Sequence, residues 1–90
     1  MQTCTLAVDI GAPSGRHIVG TVQNGKITLQ EVYRFENGVH RENGHLCWDI
    51  DTLAQEVVTG LKAAHAAGFA PAPIGIDTWA VDFVLLDADN

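Results

Sequence analysis

Residues 5–16 read Thr-Leu-Ala-Val-Asp-Ile-Gly-Ala-Pro-Ser-Gly-Arg, an apolar run with one carboxylate followed by a turn of small residues. A short apolar run that ends in glycine is typical of a strand buried on both faces. We therefore place the first strand over residues 5–10, with Asp9 near its end and the small residues in the turn that follows.

Two more strands are predicted after this turn. Residues 16–23 carry spaced apolar side chains, Asn24-Gly25 supplies the positive φ angles of a tight hairpin, and residues 27–35 alternate between two faces. The polar stretch 36–46 contains two Asn-Gly turn signals. We expect it to leave the sheet as an excursion or a small hairpin.

A helix and two apolar strands complete the predicted order. Residues 52–67 repeat apolar side chains at helical spacing, with a capping-box threonine at the start and Gly68 placed to end the helix. Strands are then expected over 74–79, which contains Asp77, and over 81–86. The sequence therefore predicts an α/β chain of order β-β-β-α-β-β.

Length and composition limit what this chain is able to do. Its 90 residues are 47% hydrophobic and 18% charged, and 5 basic against 11 acidic residues give a net charge of -6. These values indicate one folded domain, too small for a two-domain catalytic cleft, and they argue against a nucleic-acid partner. Because no apolar run approaches the ~20 residues that cross a bilayer, no membrane partner is expected and the cytoplasm is the predicted location.

The turn after the first strand has the residue types of an anion site. The carboxylate of Asp9 suits a Mg²⁺ ion held through water. Gly11 and Gly15 allow the backbone to approach a ligand, while backbone N–H groups, the Ser14 hydroxyl and Arg16 are donors for phosphate oxygens. The sequence contains no Gly-Lys-Ser or Gly-Lys-Thr of a Walker loop. A glycine-rich hairpin turn capped by Asp9 is the alternative interpretation.

Three stretches of the sequence resemble the FGGY carbohydrate kinases, and among them the rhamnulokinases most closely. The first is the turn stretch 9–16, and the second is 34–40 (Arg-Phe-Glu-Asn-Gly-Val-His) with Gly44 and Trp48-Asp49. The third is 74–87, which reads Ile-Gly-Ile-Asp-Thr-Trp-Ala-Val-Asp-Phe-Val-Leu-Leu-Asp. Their order and separations also match, so the resemblance covers essentially the whole chain.

The resemblance implies the first part of a ribonuclease H-like or actin-like ATPase domain with a mixed sheet. In such a domain the strand after the helix lies beside the first strand, which brings Asp9 and Asp77 together near one end of the sheet. The implied activity is ATP-dependent phosphorylation of a ketose, L-rhamnulose to L-rhamnulose 1-phosphate, by a longer parent kinase that uses Mg²⁺.

The resemblance also assigns roles by position. The residues matched to the ATP phosphates form the turn: Ala12, Pro13, Ser14, Gly15 and Arg16. The residues matched to the sugar follow the last buried strand: Asp77, Trp79, Ala80 and Asp82. Asp9 matches the metal position. Carboxylates accept hydrogen bonds from sugar hydroxyls, and an indole face packs on a C–H edge; core packing is the alternative for Trp79, and a solvated strand position is the alternative for Asp82.

Two positions depart from the rhamnulokinase pattern. Pro13 stands where these kinases usually have serine, which removes one backbone N–H from the turn, and Ala80 stands where they have glycine. The family's catalytic aspartate lies beyond Asn90, so no catalytic residue is assigned. We therefore expect the 90-residue chain to be inactive alone and to depend on the missing C-terminal part of the kinase.

Two other functions stay open from the residues. One is a non-catalytic structural or interaction domain from a truncated gene, with an exposed sheet edge that pairs with another chain. The other is a metal-dependent nuclease in which Asp9 and Asp77 bridge two metal ions, with Glu56 of the predicted helix as the available third carboxylate.

Overall fold

The computed structural model describes residues 2–89, and within them the chain forms six strands and one helix. In chain order the elements are β1 (Gln2–Ile10), β2 (Ser14–Gln23), β3 (Lys26–Glu36), β4 (Val39–Glu42), β5 (His45–Trp48), α1 (Ile50–Ala66) and β6 (Phe69–Asp77). Four strands form a sheet of order β3-β2-β1-β6, in which β1 and β6 are parallel and the other pairs are antiparallel. The mixed α/β sheet is confirmed, and it fits the N-terminal part of an actin-like ATPase domain.

Asn-Gly pairs form the tight turns that the sequence predicts. Asn24 and Gly25 have φ values of 52° and 76°, and Asn43 and Gly44 have φ values of 52° and 80°. Two successive positive φ values are the geometry of a type I′ hairpin turn, which these residue types adopt at low cost. The second turn joins β4 to β5, so the predicted small hairpin outside the main sheet is confirmed.

Helix α1 covers only one face of the four-stranded sheet. The core residues come from that face and from the helix: Cys4, Leu6, Val8, Ile10, Val19, Phe35, Ala64 and Phe69. On β1 the intervening residues Thr3, Thr5 and Ala7 are exposed. The expectation that this strand is buried on both faces is therefore wrong for this chain, because within residues 2–89 a single helix packs against the sheet.

The helix begins two residues earlier than the sequence predicts. Asp49 is its N-cap, and the Asp49 carboxylate accepts hydrogen bonds from the Thr52 backbone N–H at 3.0 Å and the Thr52 hydroxyl at 2.8 Å. These bonds, the backbone one foremost, lower the pKa of Asp49. Thr52 is thus a partner of the cap and not the cap itself. Gly68, at φ 95°, follows the helix as predicted.

A buried histidine joins the helix to the sheet. His17 of β2 has 0% exposure, and its Nε2 lies 3.0 Å from the carbonyl oxygen of Val57. A Cβ atom on Gly60 would overlap the His17 ring, so the close approach of helix and strand requires glycine there. Tyr33 of β3 donates a hydrogen bond to Glu56 Oε2 at 2.7 Å, and this bond is the main reason that the pKa of Tyr33 is raised.

The segment after β6 differs from the prediction. Strand β6 ends at Asp77, and residues 81–86 form no strand. The apolar side chains of this stretch are 68–103% exposed, and Ile74 and Ile76 of β6 are also largely exposed. The last predicted strand is wrong because, among residues 2–89, no strand borders the free edge of β6, and a strand requires hydrogen-bonded backbone partners. In the same residues, no helix is long and apolar enough to span a bilayer.

Candidate functional site

The turn between β1 and β2 is closed by a set of backbone and side-chain hydrogen bonds. The Gly11 N–H donates to the Ser14 carbonyl oxygen at 2.9 Å, and the Asn37 N–H donates to the Pro13 carbonyl oxygen at 3.1 Å. The Asn37 side-chain amide donates to the Gly11 carbonyl oxygen at 3.0 Å. Asn37 therefore supports the turn from the end of β3, a role that its Asn-Gly turn signal did not predict.

Gly11 and Gly15 are glycines for different reasons. A Cβ atom on Gly11 would lie 3.0 Å from the Ser14 carbonyl oxygen, within the tight turn itself. Gly15 points to the core, where a Cβ atom would overlap the Phe35 ring. Packing against Phe35 explains Gly15 without a ligand, and its contact with phosphate stays a prediction. Ala12 and Pro13 form the exposed tip of the turn.

Arg16 lies across the turn on the face of the sheet opposite to the helix. Its Nη1 donates to Asp9 Oδ2 at 2.8 Å, and its Nη2 donates to the Ser14 hydroxyl at 2.9 Å and to the Ser14 carbonyl oxygen at 3.1 Å. The Asp9 and Arg16 side chains are 44% and 23% exposed, so solvent still reaches the pair. The guanidinium thus ties the predicted metal carboxylate to the predicted phosphate turn.

Asp9 and Asp77 are register partners on the adjacent parallel strands β1 and β6. Their predicted approach at one end of the sheet is confirmed. A side-chain hydrogen bond with Asp9 raises the pKa of Asp77, desolvation and the Asp9 charge raise it further, and Arg16 acts in the opposite direction. Two carboxyl groups and one guanidinium therefore meet where the turn begins.

The predicted sugar residues are not gathered into one cluster. Asp77 lies beside Asp9, whereas Trp79 is half-buried against the core and its ring centroid lies 4.4 Å from that of Trp48. Ala80 and Asp82 are exposed, and Asp82 Oδ1 accepts a hydrogen bond from the Phe83 N–H at 2.9 Å. Trp79 thus has a packing role, and the contact with Trp48 is one that the sequence did not predict.

The donor set at this edge suits a Mg²⁺ ion. Asp9 and Asp77 supply carboxylate oxygens, the ligand type that Mg²⁺ prefers, and this ion usually keeps several waters or phosphate oxygens in addition. Among residues 2–89, no group of three or more His, Cys, Asp or Glu side chains is arranged to hold a metal ion. A metal ion here would therefore take most of its ligands from water or substrate.

The third carboxylate of the nuclease alternative is engaged elsewhere. Glu56 lies on α1 and accepts the hydrogen bond of Tyr33. Asp9 alternates with the core residues Val8 and Ile10 along β1, so it points to the sheet face that the helix does not cover. Glu56 therefore does not join Asp9 and Asp77 in this arrangement, and the nuclease alternative loses its structural support.

No protein-family model matches the sequence. A rhamnulokinase of Oceanobacillus iheyensis is 57% identical over 90 residues, which is 100% of this chain and 19% of that protein. A rhamnulokinase of Halalkalibacterium halodurans is 60% identical over 83 residues (92% of this chain, 18% of that protein), and one of Bacillus subtilis is 48% identical over 81 residues (90% and 17%). The resemblance to rhamnulokinases is confirmed, and the chain spans less than one fifth of the length of these curated relatives, consistent with the expected fragment.

Proposed function

We propose that this chain, which is similar to rhamnulokinases over its whole length, supplies the phosphate turn and part of the sugar site of a kinase. The proposed reaction converts ATP and L-rhamnulose to ADP and L-rhamnulose 1-phosphate. The observation that carries the proposal is the meeting of Asp9, Asp77 and Arg16 beside the turn at residues 11–14. We also propose a cytoplasmic location, where ATP is available.

Phosphoryl transfer depends mainly on alignment of the reactants and on neutralisation of the phosphate charge. In the proposal, Arg16 and the Ser14 hydroxyl donate to phosphate oxygens, together with the backbone N–H groups of Ala12, at the exposed tip of the turn, and of Gly15, in strand β2. Pro13 has no N–H, so this turn offers one donor fewer than a serine would provide. A Mg²⁺ ion bound at Asp9 would neutralise phosphate charge.

Arg16 has two roles available in this arrangement. Without a ligand it neutralises Asp9 and binds Ser14. A phosphate group near the turn would offer Nη2 a charged acceptor in place of the neutral Ser14 hydroxyl, and hydrogen bonds between charged partners are the stronger class. We therefore expect Arg16 to contribute to ATP binding while it keeps Asp9 in place.

The sugar part of the proposal rests on the residues from Asp77 to Asp82. Carboxylates of Asp77 and Asp82 would accept hydrogen bonds from ketose hydroxyls, and the Trp79 indole would pack on the C–H edge of the sugar. Ala80 is exposed, so its backbone and its methyl group are accessible to a ligand. The proton-accepting base and the adenosine site are assigned to the remaining part of the parent kinase.

A backbone NMR titration with ATP tests the phosphate turn directly. In the ¹⁵N-labelled 90-residue chain, ATP with Mg²⁺ should shift the amide signals of Asp9, Ala12, Ser14 and Gly15. Arg16→Gln should weaken this response several-fold, because the guanidinium donor is lost. Arg41→Gln is the matched control, since Arg41 is an exposed arginine of the separate β4–β5 hairpin.

The outcomes of this titration separate the open functions. Shifts confined to the turn and dependent on Arg16 support the kinase proposal. Equal weakening by Arg41→Gln would indicate non-specific charge attraction, and the absence of shifts with saturating ATP and Mg²⁺ would leave the structural or interaction domain as the better description.

A further inference from the structure

The β4–β5 hairpin is a largely exposed ribbon with one aromatic contact to the rest of the chain. Its residues from Val39 to Leu46 are exposed, and only Cys47 and Trp48 at its end are half-buried. Trp48 lies against Trp79, with ring centroids 4.4 Å apart and ring planes at 51°. This contact joins the hairpin to the segment after β6.

The two indoles are anchored by different parts of the chain. Trp48 directly precedes Asp49, whose carboxylate caps helix α1, so the backbone at this end of the hairpin is held by the helix. Trp79 follows the end of β6 by two residues and packs against the edge of the core. The Trp79 ring therefore contacts both the core and Trp48 and is only half-buried, whereas the residue after it, Ala80, is exposed.

We propose that Trp48 is a positioning residue for the sugar site, because its indole fixes the orientation of Trp79. This inference rests on the proposed function, in which Trp79 packs on the C–H edge of the sugar. An indole presents a flat, rigid face, so its orientation decides whether a sugar edge stacks on it. Among residues 2–89, Trp48 is the one aromatic ring that pairs with the Trp79 ring.

Spectroscopy tests the contact without any ligand. The chain contains 2 tryptophans, so coupling between two indoles, seen as paired bands of opposite sign in circular dichroism, comes from this pair alone. We expect these bands in the wild-type chain and their loss in both Trp48→Phe and Trp79→Phe. Leu46→Ala, which removes an exposed apolar side chain of the same hairpin, should retain them. Absence of the bands in the folded wild-type chain would overturn the inference.

Calorimetric titration with L-rhamnulose then tests the positioning role. Trp48→Ala should weaken binding on the order of threefold to tenfold, the effect of losing one aromatic pair, while Trp48→Phe should restore most of the affinity. Leu46→Ala should bind as the wild-type chain does. Trp48→Leu replaces Trp48→Ala in this comparison if the alanine variant does not fold.

The inference and the proposed function fail in different ways. A wild-type chain that binds no L-rhamnulose overturns the proposed sugar site, and the inference with it. If the wild-type chain binds the sugar and Trp48→Ala or Trp48→Leu binds it equally well, the sugar site stands and the positioning role of Trp48 is wrong.

Discussion

Asp9 and Asp77 place two carboxyl groups side by side, and Arg16 forms its hydrogen-bonded ion pair with Asp9. The pKa of Asp77 is raised, first by its side-chain hydrogen bond with Asp9 and then by desolvation and the Asp9 charge, while the charge of Arg16 lowers it. Such an arrangement is costly for folding and useful for binding a cation, and perturbed carboxyl groups of this kind are typical of functional sites. Asp9 and Asp77 lie near opposite ends of the sequence, and the parallel pairing of β1 and β6 brings them together.

Asp77→Asn should stabilise the folded chain at neutral pH. Because the folded-state pKa of Asp77 lies above its ordinary value of 3.8, ionised Asp77 destabilises the folded state. This destabilisation is fully present above the folded-state pKa and disappears as the pH falls through that pKa toward 3.8. Urea denaturation of both proteins between neutral and acidic pH should therefore show the largest difference in free energy of unfolding at neutral pH.

A control variant separates the destabilisation by ionised Asp77 from a general effect of net charge. Asp89→Asn also removes one acidic group, but Asp89 lies in the exposed segment after β6. It should change the free energy of unfolding little at any pH. If Asp77→Asn were no more stable than the wild-type chain at neutral pH, the described destabilisation by ionised Asp77 would be wrong.

Helix α1 packs on the sheet through a glycine and a buried histidine. The His17 ring fills the space that a side chain at Gly60 would occupy, and its Nε2 reaches a helix carbonyl oxygen. Glycine inside a helix is normally unfavourable, so local preference alone favours alanine at this position. The contact with His17 reverses that preference.

Gly60→Ala should therefore destabilise the chain. On an exposed helix the change would stabilise by about 1 kcal/mol, but the added methyl group must displace the His17 ring or the helix, and such overpacking costs about 1–3 kcal/mol. We expect a lower free energy of unfolding in chemical denaturation. Thr59→Ala, at the exposed neighbouring helix position, should change it by no more than about 0.5 kcal/mol. A more stable Gly60→Ala variant would contradict the packing described for α1.

Helix α1 covers only part of the core face of the sheet. Ile74 and Ile76 of β6 and the apolar residues of 81–86 are exposed, although Ile74 and Ile76 are register partners of the core residues Leu6 and Val8. The core face of the sheet therefore continues beyond the area that α1 covers. The relatives that match this chain are more than five times its length, and their further residues are available to cover such a surface.

The 90-residue chain should show no kinase turnover. It carries the proposed phosphate turn and one sugar wall, whereas the resemblance places the catalytic base and the adenosine site in the remaining part of the kinase. With ATP, Mg²⁺ and L-rhamnulose, ADP formation should stay at the level of a blank without protein. The rhamnulokinase of Oceanobacillus iheyensis serves as the positive control in the same assay. ADP formation above the blank that requires L-rhamnulose would contradict this prediction.

The hairpin turns, the helix and the glycine that follows it were predictable from the sequence. Asn24-Gly25 and Asn43-Gly44 adopt the positive φ values that their residue types favour, and Gly68 does the same after the helix. The resemblance supplied the place of the strand after the helix, β6, beside β1. These features depend on neighbours in the chain or on a shared pattern, so a linear sequence is enough to indicate them.

The start of the helix, the burial of β1 and the reasons for particular glycines were decided only by the tertiary structure. Asp49 takes the capping position, one helix covers one face of the sheet, and Gly15 and Gly60 make room for aromatic rings from other elements. The contact between His17 and Val57 joins residues 40 positions apart in the sequence. The indoles of Trp48, before the helix, and Trp79, after β6, are also in contact. The sequence determined the local backbone conformation and the chemistry of each residue. Packing between distant segments determined which side chains meet, because a local sequence pattern carries no information on the distances between such segments.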